Sequence, residues 1–99
     1  MPTGRRGAPS PVAKEIAAVL SRALSETKRT QGEIADQVGV SQSQLSKILR
    51  GDRQMDVDQL YMLSGALGIK ARDVIHEAEE VTTVRRRVQD AGSDGSEDE

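Results

Sequence analysis

Two helix-start signals and two glycine stops fall within one short stretch, Thr30 to Gly51, which reads TQGEIADQVGVSQSQLSKILRG. Thr30 and Glu33 have the S/T-x-x-E spacing in which a hydroxyl accepts from the third helical N–H while the glutamate reaches back to the cap's own N–H, so a helix is predicted from Gln31 to about Val38. Gly39 then supplies the left-handed residue that ends it. Ser41 and Gln44 repeat the box in its S-x-x-Q form and open a second helix, which Gly51 terminates in the same way. The backbone here is committed to a helix, a tight turn and a helix.

The second helix sorts its side chains. At about 100° per residue, Gln42, Ser43, Ser46, Lys47 and Arg50 share one side, while Leu45 and Ile48 point the other way, toward the first helix. The polar arc holds amides, hydroxyls and cations but no carboxylate. A solvated helix face usually mixes both charge signs, whereas a surface that meets phosphates and base edges gains from this selection of groups. Leu49 borders the polar arc, where it can pack on the following loop or against a thymine methyl.

Three further helices follow from the same reasoning. Ser10 and Pro11 form an N-cap and N1 pair, after which Val12, Ile16, Val19, Leu20, Ala23 and Leu24 run at helical spacing to about Thr27. A loop, GDRQM, leads to Asp56 as the cap of a helix carrying Val57, Leu60, Leu63, Ala66 and Leu67, with Gly68 as its stop. A fifth helix should begin near Ala71 and bury Val74, Ile75 and Ala78.

On these residues the segment resembles the helix-turn-helix of the lambda-repressor-like, Cro-type family, also called the xenobiotic-response-element family; phage repressors and Cro are the standard examples of that docking mode. Counted from Gln31, that family places a small residue fifth, glycine ninth and apolar residues fourth, eighth, tenth, fifteenth and eighteenth. This chain has Ala35, Gly39, Ile34, Val38, Val40, Leu45 and Ile48 at those positions. Ala35 sits where the two helices cross and a larger side chain would part them. The phrase DVDQLYMLSGALGI is similar to the family's fourth helix, so the likeness extends from Val12 to Ala78.

The resemblance implies an all-α, five-helix DNA-binding domain over residues 10–80, with its motif at 31–50. It also implies roles. Gln42, Ser43 and Lys47, with Ser46 a weaker candidate, match positions that reach base edges: an amide pairs bidentately with adenine, and a lysine donates to guanine O6 and N7. Gln31 matches a position that touches phosphate and braces Gln42. Arg50, Arg53 and Gln54 match the loop whose backbone contacts fix register without reading sequence. Leu49 departs from the pattern, since many relatives place a carboxylate there.

Composition bounds the rest. Ninety-nine residues with no Phe, no Trp and one Tyr allow a single small aliphatic core, for which dimerisation would be a useful supplement. Zero cysteines exclude a disulfide framework and a cysteine-ligated zinc, and fit a reducing cytoplasm. No apolar run reaches membrane-spanning length, and the N-terminus lacks a signal-peptide core, so a cytoplasmic, nucleoid-associated protein is expected. The net charge of −2 conceals an asymmetry: residues 1–89 hold all fourteen Lys and Arg against eleven acids, while residues 90–99, DAGSDGSEDE, hold five acids and no base. The part expected to fold is mildly basic. His76 is the sole histidine and is expected to bind no metal. No Gly-rich phosphate loop or nucleophile and base pair is evident, so neither catalysis nor a cofactor is expected.

The flanks carry weaker signals. Residues 1–9 are rich in Pro and Gly and should be a disordered arm, from which Arg5 and Arg6 could reach a minor groove. Residues 81–89, VTTVRRRVQ, read either as an extension of the fifth helix, with Val74, Ala78, Val81, Val84 and Val88 forming a stripe that zips to a second subunit, or as a strand pairing across a dimer axis. Both suggest a homodimer on an inverted repeat of double-stranded DNA. Residues 90–99 should be a disordered acidic tail. The function expected is a sequence-specific transcriptional regulator, a repressor of bacterial or bacteriophage type, reading the major groove with residues 41–50. The alternative is an antitoxin-like protein whose C-terminal segment masks a partner protein while its helix-turn-helix controls its own promoter.

Overall fold

A computed structural model describes the backbone of residues 9–97, with side chains through Val88 apart from Arg86. It contains five helices: α1 (Pro11–Ser25), α2 (Gln31–Val38), α3 (Gln42–Leu49), α4 (Val57–Ala66) and α5 (Ala71–Glu97). Each of the first four begins where its cap dictates. The Ser10 hydroxyl accepts from the Ala13 N–H, with Pro11 opening α1. Thr30, Ser41 and Asp56 all form closed capping boxes with the residue three positions on, Glu33, Gln44 and Gln59. The Asp56 box is reciprocal: the Gln59 N–H donates to the carboxylate at 2.7 Å, and the Asp56 N–H to the Gln59 amide at 3.1 Å.

The core is a continuous aliphatic cluster. Leu20 of α1, Ile34 of α2, Leu45 and Ile48 of α3, Leu63 of α4 and Val74 of α5 are all fully enclosed, so each helix contributes to one interior. α1 lies against α5 and α3, and α4 bridges α2 and α5. Arg29, in the turn before α2, donates to the Ala66 carbonyl at 3.1 Å, satisfying an orphan acceptor at the end of α4. Nothing local in the sequence announces that contact across 37 residues.

Two expectations about the later helices need correction. Ile75 is 38% exposed rather than buried, because the face that α5 turns to α1 and α4 is centred on Val74 and Ala78. Residues 81–89 are helical, which sets aside the strand alternative. This stretch is held along α1 by Arg85, whose guanidinium donates to Glu15 at 2.7 Å, and Arg22 of α1 pairs with Glu77 about two turns earlier in α5. The helix assigned to α5 runs through Glu97, with no proline in the run from Ala71. Arg5 and Arg6 of the arm lie outside the described residues. Among the described residues, no helix is long and apolar enough to cross a membrane.

Among the described residues, one buried side-chain polar atom has no partner. The Ser64 hydroxyl sits in the interior face of α4, 1% exposed, with no hydrogen bond. An unsatisfied buried hydroxyl is costly and serine is a poorer helix former than alanine. Ser64→Ala is therefore expected to raise unfolding free energy by about 0.5 to 1 kcal/mol. Urea denaturation followed by circular dichroism checks this; a loss of stability would mean that the hydroxyl has a partner in solution.

Candidate nucleic-acid interface

The helix-turn-helix is set by its short connection. Gly39 takes φ 77, and its N–H donates to the Ala35 carbonyl at 2.9 Å, as does the Val40 N–H at 3.1 Å. That pairing closes α2 and leaves room for only Val40 before the Ser41 cap. Val40 is half-buried against the core and pins the turn from below. Ala35, 2% exposed, lies in the cluster between α2 and α3, where its single methyl permits close approach. Gly51, at φ 78, ends the α3 segment on a left-handed residue as its sequence position implies.

With Leu45 and Ile48 directed inward, α3 leaves Gln42, Ser43 and Lys47 exposed and Ser46 partly so. The four residues expected to reach base edges thus share one accessible face. The Gln42 side chain also lies across the start of α2: its Oε1 is 3.5 Å from where a Cβ on Gly32 would stand. Its neighbour there is therefore Gly32, next to the Gln31 that the resemblance assigned as its brace. Gln31 is half-buried at the first turn of α2, on the same side of the domain as the start of α3.

Arg50, Arg53 and Gln54 are all exposed in and beside the loop after α3. The Arg50 guanidinium donates to Asp52 at 3.1 Å, and both side chains are more than half exposed. Such a pair contributes under about 1 kcal/mol, so it orients Arg50 without locking it away from another anion. Leu49 is 7% exposed and belongs to the core, which removes the thymine-methyl alternative. α1 and α2 both pack on α3, so the enclosed arc is wider than contact with α2 alone would give. The polar face is correspondingly narrow and contains no apolar side chain.

Chemically, the face offers amide, hydroxyl and ammonium groups in one row, flanked by guanidinium groups. It has donors and acceptors for base edges and cations for phosphates, and neither a carboxylate nor a nucleophile and base pair among its residues.

A helix-turn-helix family model matches residues 20–74, more than half of the chain, beginning in α1 and ending in α5. The chain belongs to the Cro/C1-type helix-turn-helix family of DNA-binding transcription regulators. Two solved structures of the clp gene regulator ClgR from Corynebacterium glutamicum share its fold. One superposes with a TM-score of 0.72 at 24% identity, covering 86% of this chain and 90% of that one. The other has a TM-score of 0.66 at 26% identity, covering 73% of this chain and 92% of its own. No curated protein sequence matches this chain.

Proposed function

We propose that this chain is a sequence-specific regulator that lays α3 in the major groove of double-stranded DNA and represses transcription from the site it occupies, as a protein of bacterial or bacteriophage type. The observation that carries the reading is the exposed, carboxylate-free row of Gln42, Ser43, Ser46 and Lys47 on a helix whose opposite side is fully buried. Those four residues read bases; Gln31, Arg50, Arg53 and Gln54 hold the phosphates on either side. The bacterial gene regulator that shares the fold supports a regulatory role.

A single α3 of eight residues spans too few base pairs for a unique address, so two copies act together on an inverted repeat with reading helices about 34 Å apart. Of the apolar stripe expected to mediate pairing, Val74 and Ala78 are consumed by the chain's own core. Val81, Val84 and Val88 remain, and they are the surface on which a second subunit packs.

Equilibrium titration on a selected duplex and on a scrambled one, at several salt concentrations, tests this function. The selected site should bind at least about a thousandfold tighter. Arg53→Ala should weaken both duplexes alike and reduce the slope of log affinity against log salt by about one. A loss confined to the selected duplex would make Arg53 a base reader instead.

A further inference from the structure

We propose that two copies of this chain pair antiparallel along α5, in a register centred near Val84 that sets Glu80 of each copy against Arg87 of the other. The inference rests on the dimer reading above and gives it a surface, an orientation and a register.

Three observations converge. The first is an uncovered apolar strip: Val84 is 55% and Val88 65% exposed, and with half-buried Val81 they line a shallow groove whose edges are Glu80 and Arg85. α1 runs alongside, covering the adjoining face at Val74 and Ala78 and leaving Val84 and Val88 exposed.

The second is the order of charge along the helix. Acids come first, at Glu77, Glu79 and Glu80, and bases follow, at Arg85, Arg86 and Arg87. Parallel pairing in register would stack the arginine cluster of one copy on that of the other. Antiparallel pairing instead opposes Arg87 with the partner's Glu80, so charge selects the orientation.

The third is a local two-fold pattern. Val81 and Val88 are seven residues apart, as are Glu80 and Arg87, so each pair lies on one side of the helix, two turns apart. A two-fold axis near Val84 exchanges Val81 with Val88 and Glu80 with Arg87, which yields two identical ion pairs beside a continuous valine seam. Of the other described charged residues near the strip, Arg85 pairs with Glu15 at 2.7 Å and Glu77 with Arg22. Among the described residues, Glu80 pairs with His76 at 3.9 Å.

Three valines from each copy make a small seam, so pairing is weak for the free protein. An inverted repeat strengthens it by holding both subunits at high effective concentration.

The absence of cysteine from the sequence makes cross-linking a direct test. The V81C and V88C chains, one enlarged by a tag, are oxidised separately and as a mixture on inverted-repeat DNA. The proposal expects a disulfide between the two variants in the mixture and little linkage of either with itself. Self-linkage of each variant, or none in any combination, would overturn it. In parallel, sedimentation equilibrium of the full chain should find E80R and R87E each weakening the dimer about tenfold, and the E80R/R87E chain returning to within about threefold of wild type. E79R, which changes the same charge on the side of α5 away from the valine strip, should weaken the dimer far less than E80R. Failure of the double substitution to recover, or an equal loss in E79R, would refute the register. A chain monomeric both free and on inverted-repeat DNA would remove the dimer reading altogether, whereas a stable dimer indifferent to these substitutions would remove only this pairing.

Discussion

Leu45→Ala is expected to destabilise the domain by about 2 to 5 kcal/mol and to lower its melting temperature by more than about 10 °C. Leu45 is fully enclosed, and it lies where α3 rests on the other helices. Truncation removes its transfer free energy and leaves a cavity that two short helices on a three-residue turn cannot readily close. A domain of this size has a stability on the order of 4 to 10 kcal/mol in total, and the core contains no aromatic ring, so one lost leucine removes a large share. Calorimetry of the purified variant checks the value. A loss below about 1 kcal/mol would mean that α3 is held by something other than its buried side. Because bound DNA favours the folded state by mass action, the same variant should regain part of its melting temperature on its operator.

Substitutions on the opposite side of the same helix should do the reverse. Gln42→Ala and Lys47→Ala are expected to melt within a few degrees of wild type, since both side chains are exposed and make no contact on which the core depends. On the cognate duplex each should lose about 1 to 3 kcal/mol of binding free energy, with preference relaxed at one base position and little change on scrambled DNA. The contrast with Leu45→Ala is the informative part. Residues two and three positions apart on one short helix should separate into a stability defect without altered preference and a specificity defect without instability. Anisotropy titrations paired with thermal melts of all three variants would expose any mixing of the two effects; equal losses on both duplexes would reduce Gln42 and Lys47 to nonspecific contacts.

Much of this architecture was legible because it is written locally. Thr30 with Glu33, Ser41 with Gln44 and Gly39 specify backbone hydrogen bonds within four residues of themselves, and all of them form as the spacing requires. The first residue of α1, α2, α3 and α4 follows from such signals. The accessible row on α3 was legible for the same reason, since helical periodicity separates it from Leu45 and Ile48.

What periodicity could not supply was the width of the enclosed arc. Leu49 sits at the margin of the apolar side, and its burial depends on the placement of both α1 and α2. Ile75 errs in the opposite direction, being apolar and helical but turned from the only faces that neighbours cover. Arg29 closing α4, and Arg85 fastening the extension of α5 to Glu15, are contacts between distant segments and leave no local trace. Residues 81–89 were ambiguous because β-branched valines and threonines suit a strand, while their continuity with α5 decides for a helix.

The measurement that bears most directly on the central claim is selection of bound duplexes from a random pool, run side by side with the wild-type chain and Lys47→Ala. If the exposed face of α3 reads bases, the wild type will enrich an inverted repeat, and the variant will enrich the same repeat with the preference lost at one base pair in each half. Recovery of an identical motif by both proteins, or of no motif by either, would contradict it.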